Sequence, residues 1–162
     1  MARPQLSVRE KVARALTELH TVLGDNRNVV RGAELKAASR VVLQEAGWLR
    51  EILKGWYFVC DPAVEDGDTT LFFANFWEYL GSYLTGRFKE GYCLSAEDSL
   101  GRHARANVVP RQVGVLLGVR QSQIQPLAHG YSLAMYPSQA FPSGANTTTL
   151  EGLRVMSLPY CL

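Results

Sequence analysis

The stretch Ala46-Gly-Trp-Leu-Arg-Glu-Ile-Leu-Lys-Gly-Trp-Tyr-Phe-Val59 holds the end of one element and a complete hairpin within fourteen residues. Gly47 takes a left-handed backbone without steric cost, so it can stop a preceding helix. Leu49-Arg50-Glu51-Ile52 then places apolar side chains at both ends of a short strand. Leu53-Lys54-Gly55 supplies a tight turn, and Trp56 to Val59 returns as an aromatic and β-branched strand. Trp48 and Trp56 are expected to anchor the core of this hairpin. A helix stop followed by a basic-tipped hairpin reads as the wing of a winged helix.

The residues before it fit the same order. Ser7-Val-Arg-Glu10 is a capping box, and Val8, Val12, Leu16, Leu19 and Leu23 succeed it at helical spacing, so the pattern predicts an amphipathic helix over 7–23 ended by Gly24. Val29-Val30 suits a very short strand. Gly32 to Ala38 suits a short helix, with Ser39 as N-cap of a third helix running to about Ala46. Helix, strand, helix, helix and hairpin is the order of a winged helix-turn-helix, whose third helix enters the major groove while the hairpin touches backbone. On that reading Val42, Leu43 and Ala46 pack inward and Arg40, Gln44 and Glu45 face out. Arg40 and Gln44 are suited to base edges, and Arg31, Lys36, Arg50 and Lys54 to phosphates.

Charge supports this placement. The 162 residues carry a net charge of only +2, but residues 1–55 hold ten Lys/Arg against six Asp/Glu, and the remainder seven against nine. The basic half is the half with the hairpin. No apolar run approaches the roughly 18 residues needed to span a bilayer, so a cytoplasmic protein without membrane contact is expected. Cys60, Cys93 and Cys161 are odd in number and widely spaced, which argues for buried thiols and against disulfides or a metal site. His20, His103 and His129 share no motif with a nucleophile or carboxylate, and no phosphate-binding glycine loop is present. The expectation is therefore a binding protein with no catalytic residue, metal or cofactor.

Beyond Cys60, Val64 to Asp68 reads as a polar linker, with Asp68 placed to cap the next helix. Leu71, Phe72, Phe73, Phe76, Trp77, Leu80, Tyr83, Leu84 and Phe88 recur at helical spacing on a face too wide for a surface helix, so this helix is expected to be buried at the centre of a second unit, with Gly81 and Gly86 available for close packing. Ser95 to Asp98 starts a helix ending near His103. Strands are expected over 113–119, 124–127, 131–135 and 152–156, and a mobile loop or flap over 137–149. The fold class is α+β: a winged helix-turn-helix over 1–62, then a small α/β unit over 63–162 with a central buried helix and a short sheet. The apolar run Leu153 to Leu162 suggests either continuation of that unit or a contact with another protein surface, a second copy included.

Three further stretches extend the pattern: Phe76-Trp-Glu-Tyr79 with Arg87-Phe88, Tyr92-Cys-Leu-Ser-Ala-Glu-Asp-Ser-Leu100, and Pro110. Together with Gly47 to Tyr57 they resemble the N-terminal region of some bacterial Fic (filamentation induced by cAMP) proteins, a region similar to winged-helix antitoxins of the abortive-infection type. That resemblance implies promoter DNA as ligand, a role in transcription regulation, and a Fic catalytic domain or cognate toxin as partner. The family's catalytic loop, His-x-Phe-x-[Asp/Glu]-Gly-Asn-Gly-Arg, has no counterpart in residues 1–162. Thr147-Thr-Thr-Leu-Glu-Gly152 matches the family's loose inhibitory pattern, but that pattern belongs on a helix, and Glu151-Gly152 reads as a turn leading into a strand. The alternative to DNA binding is a protein-docking module that restrains a toxin or nucleotidyltransferase domain.

Overall fold

The computed structural model describes residues 5–65 and 67–162 as a mixed α+β chain. Two compact units divide between Asn75 and Phe76. The division falls inside a long helix, so the polar linker and the first helical turns after it belong with the N-terminal unit.

In the N-terminal unit, helix α1 (Val8–Leu23) begins at the Ser7 capping box, in which Ser7 Oγ accepts from the Glu10 N–H and the Glu10 carboxylate accepts from the Ser7 N–H. Its inward stripe differs from the expected one: Ala15 and Leu19 are buried, with Leu16, Val22 and Leu23 packed beside them, whereas Val8 is 76% exposed. Val8 is the first residue of the helix and stands before the stripe meets the core. Strand β1 (Val29–Arg31) leads into a single 3-10 turn over Gly32–Glu34. Helix α2 (Ala37–Glu45) comes next, and a full helix over 32–38 does not form. Lys36, not Ser39, is its N-cap.

Gly47, at φ +82°, ends α2 as expected. The Gly47 N–H donates to the Gln44 carbonyl and the Trp48 N–H to the Leu43 carbonyl, the paired 5→2 and 6→1 bonds of a Schellman stop. Strands β2 (Leu49–Leu53) and β3 (Trp56–Val59) pair antiparallel around Lys54-Gly55, with Leu53 opposite Trp56 and Gly55 at φ +83°. β3 also pairs with β1, so the sheet order is β1-β3-β2. The hairpin's buried aromatics are Tyr57 and Phe58, 5% and 4% exposed. Trp56 is only half-buried, since it is the first residue after the turn; Trp48 packs on the core from the helix stop. The linker is tied back to this unit. Arg50 donates to the carbonyls of Val64 and Glu65, and Phe58 meets Phe72 edge to face at 6.3 Å.

Helix α3 (Thr70–Phe88) starts where the Asp68 carboxylate accepts from the Thr70 N–H. Within the C-terminal unit its residues Phe76, Tyr79, Leu80, Tyr83 and Leu84 are all buried, as the wide apolar face implies. Gly81 lets it approach a neighbouring turn: a Cβ there would stand 2.9 Å from the Gly152 carbonyl oxygen. Gly86 is exposed. The four-stranded sheet has the order β4-β5-β7-β6, built from β4 (Tyr92–Leu94), β5 (Gln112–Leu117), β6 (Gln123–Pro126) and β7 (Ser132–Pro137). β5 and β7 run parallel and the other pairs antiparallel. Between β4 and β5 lies helix α4 (Ala96–His103), N-capped by Ser95, which sits on the sheet where Gly114 has no side chain: the Gly114 N–H donates to Asp98 Oδ2 at 2.7 Å.

The expected flap over 137–149 is partly a strand. β8 (Thr147–Leu150) and β9 (Leu153–Met156) form a separate hairpin around Glu151 and Gly152, both at positive φ. The inhibitory-pattern residues thus lie on a strand and turn. The apolar run at the end of the chain closes on a single helical turn, α5 (Leu158–Cys161), from which Leu158, Tyr160 and Leu162 are exposed. No helix among the described residues is long and apolar enough to cross a membrane.

Phe58→Ala should lower unfolding free energy by roughly 3–5 kcal/mol, a large share of a typical 5–15, while Trp56→Ala costs only about 1–2; thermal and urea melts of both variants separate the two. Gly81→Ala drives a methyl into a backbone carbonyl and should cost about 1–3 kcal/mol, which chemical denaturation measures directly.

Candidate nucleic-acid interface

The six basic or polar residues expected at a DNA surface lie on β1, α2 and the β2–β3 hairpin, but they do not form one uniform set. Lys36, Gln44 and Lys54 are exposed. Lys36 stands at the N-terminus of α2, Gln44 on its last turn, and Lys54 at the tip of the hairpin. Arg31 is exposed at the end of β1 with its guanidinium 6.0 Å from the Trp56 ring centre, a cation–π contact that holds it beside the hairpin turn.

Arg40 and Arg50 are turned toward their own chain. Arg40 Nη1 donates to the Gly32 carbonyl at 3.3 Å and its side chain lies against Gly32, where a Cβ would stand 3.0 Å from Nη1. Arg50 holds the linker through Val64 and Glu65. Each of these guanidinium groups therefore has part of its donor set committed to backbone. The sequence cannot show this, because the acceptors are main-chain carbonyls brought close by the turn at Gly32 and by the returning linker.

The outward residues of α2 are Ala37, Ala38, Val41, Gln44 and Glu45, with Val41 47% exposed. This is a small, mostly apolar face with one amide and one carboxylate. Gln44 has the amide to pair with an adenine edge, and alanine and valine methyls suit thymine methyl groups; cations for phosphate stand at the start of the helix and on the hairpin.

The position of α2 is set by a residue of α1. Lys36 is its N-cap but gives no side-chain cap. Glu18 supplies the acceptors instead: its carboxylate accepts from the Lys36 N–H at 2.7 Å and from the Ser39 hydroxyl at 2.6 Å. These two bonds, the backbone one first, hold the Glu18 carboxyl below its ordinary value of 4.5. A second carboxylate fixes the preceding turn. Glu34 receives both Nη atoms of Arg27 at 3.0 Å and the Arg31 N–H at 2.8 Å. Burial, the largest single influence on Glu34, works upward; the bonds from Arg27 and Arg31 and the charges of both outweigh it and leave its pKa lowered. At the hairpin, Glu51 accepts from the Gly55 N–H at 3.0 Å and closes the turn.

The histidines and cysteines lie away from this surface or within the fold. His103 Nε2 lies 2.8 Å from the Met156 carbonyl, and the His129 carbonyl accepts from Arg111 Nη1. Cys60 donates its thiol to the Gly47 carbonyl, while burial pushes the Cys93 thiol up to about 11.

Both carboxylates are more acidic folded than unfolded, so their contribution is complete above about 4.5 and is lost as pH falls through the folded values. The melting temperature should drop as pH falls below about 4.5, and Glu18→Gln should flatten that drop by removing one of the titrating groups, as differential scanning calorimetry across pH would measure. No protein-family model, no curated protein and no solved structure matches the chain, so the interface rests on its own geometry.

Proposed function

We propose that the N-terminal unit is a winged helix that binds double-stranded DNA, and that the chain is a regulatory, antitoxin-like region related to the N-terminal regions of Fic proteins. The observation that carries this reading is the pairing of a β1-β3-β2 sheet with a helix stopped by Gly47 immediately before a basic-tipped, two-residue hairpin. In a winged helix the element before the hairpin enters the major groove and the hairpin tracks the backbone. On this arrangement α2 is the recognition helix, Gln44 reads a base edge, and Arg31, Lys36 and Lys54 meet phosphates. Arg40 and Arg50 act mainly by holding the Gly32 turn and the linker in place. The helix before α2 is reduced to one 3-10 turn, and with a short recognition helix affinity has to draw heavily on backbone contacts. A cytoplasmic location fits this role.

The exposed Val41, with Ala37 and Ala38 on the same helix, supports a second reading in which this face docks on protein, such as a toxin or nucleotidyltransferase domain. The exposed Leu158, Tyr160 and Leu162 support contact with a second copy or a downstream domain through the C-terminal unit.

Mobility shift at several salt concentrations distinguishes DNA from docking. Duplex DNA from the protein's own upstream region should be retained at about 50 mM salt, with affinity falling steeply as salt rises. Lys36→Ala with Lys54→Ala should reduce the slope of log affinity against log salt by about two, close to one per lost phosphate contact. Absence of retention at low salt, or an unchanged slope in the double variant, overturns the DNA assignment.

A further inference from the structure

Among the described residues, the side chain of Arg154 on β9 has no acceptor. Its Nε is buried and makes no hydrogen bond, and no described residue accepts from either of its Nη atoms. Buried polar groups in folded proteins are nearly always satisfied, and a buried Nε–H left without an acceptor is costly. Nor does a carboxylate balance the charge: among the described residues Arg154 belongs to no ion pair.

Arg154 also lines a cavity of about 260 Å³ that lies wholly within the C-terminal unit, between the end of α3 and the β8–β9 hairpin. Lys89 stands on its wall, held at φ +54° just beyond the last residue of α3. That is a left-handed position where glycine or asparagine is the usual choice. Thr85, Tyr92 and Thr149 add hydroxyl groups. The Tyr92 hydroxyl accepts from the Arg154 N–H and lies 3.1 Å from Thr85 Oγ1, so it fixes the strand that carries Arg154. Glu90 is also on the wall but pairs with neither cation.

We propose that this cavity binds the phosphate group of a small phosphomonoester, with Arg154 and Lys89 as its two cations and the threonine hydroxyls as further donors. Two cations against the single Glu90 carboxylate leave the lining net positive, which suits an anion, and a guanidinium fork matches two phosphate oxygens. The volume lies below the usual 300–1,000 Å³ of sites for drug-sized ligands, which suits phosphate with a small attached group.

The test is a titration of the full 162-residue chain with inorganic phosphate, monitored through amide and arginine Nε–H resonances, with chloride at matched ionic strength as reference. Phosphate should produce saturable shifts at Arg154, Lys89 and Gly152 with a dissociation constant near 1 mM or tighter, and should raise the melting temperature by a few degrees. Arg154→Gln and Lys89→Gln should each weaken binding about tenfold. Because Arg154 makes no side-chain bond, Arg154→Gln should melt no lower than the parent without phosphate. Lys89 is exposed, so Lys89→Gln carries the test alone if the Arg154 variant fails to fold. Glycerol 3-phosphate binding more tightly than inorganic phosphate would support a sugar- or polyol-phosphate ligand, and a 5′-mononucleotide doing so would support a nucleotide. Equal shifts with chloride, or undiminished phosphate binding in Lys89→Gln, would overturn the site.

Discussion

The carboxylate of Glu18 is the cap that α2 lacks in its own sequence, and the geometry of the N-terminal unit depends on it. A helix of nine residues is too short to be stable alone, and its first N–H groups need acceptors. Lys36 offers none from its side chain. Glu18, near the middle of α1, accepts from the Lys36 N–H and the Ser39 hydroxyl and thereby fixes the start of α2 against α1. A negative charge at that end also suits the helix dipole. At the other end Gly47 closes the last carbonyls and turns the chain into β2. With both ends determined, Leu43 and Leu49 fall into the same core as Leu19, Val30 and Tyr57.

Internal partners of this kind alter the meaning of net charge. Of the acidic residues in the basic half, Glu10 caps α1, Glu18 caps α2, Glu34 binds Arg27, and Glu51 closes the hairpin. Their carboxylates are engaged by backbone and by side chains of the same unit. Lys36, Lys54 and Arg31 are left exposed around α2 and the hairpin, and Arg9, Lys11 and Arg14 are exposed on α1. On the proposed DNA-binding reading, exposed cations would attract phosphate without reading sequence, and specificity would fall to Gln44 and the small side chains of α2.

In the C-terminal unit close backbone approach performs the equivalent task. Gly114 allows α4 onto the sheet through Asp98, and Gly81 allows α3 onto the Gly152 turn. Ser99 is fully buried, donating to the Leu94 carbonyl and accepting from the Met156 N–H, so one hydroxyl joins β4, α4 and β9. The Arg102 guanidinium lies 4.4 Å from the Trp77 ring centre and pairs with Glu151 at 2.9 Å, which ties α4 to the hairpin turn.

Features dictated by local chemistry are legible in the amino-acid order. The Ser7–Glu10 capping box, the Gly47 stop, the Lys54-Gly55 turn, the Ser95 cap and the wide apolar face of α3 each depend on residues within a few positions of one another, and each was legible for that reason. The α+β class came from those elements. Tertiary structure decided the rest wherever the partner is distant in sequence. Ser39 resembles an N-cap, but the acceptor that starts α2 comes from Glu18, so the cap falls at Lys36 instead. Arg40 resembles a base reader until the Gly32 carbonyl takes one of its donors. Thr147 to Thr149 look like loop because their neighbours are Pro, Ser, Gly and Asn; they become a strand because β9 offers a backbone ladder after the Glu151-Gly152 turn. Arg154 carries no sequence signal, since it is the packing of β9 that buries its Nε with no acceptor among the described residues.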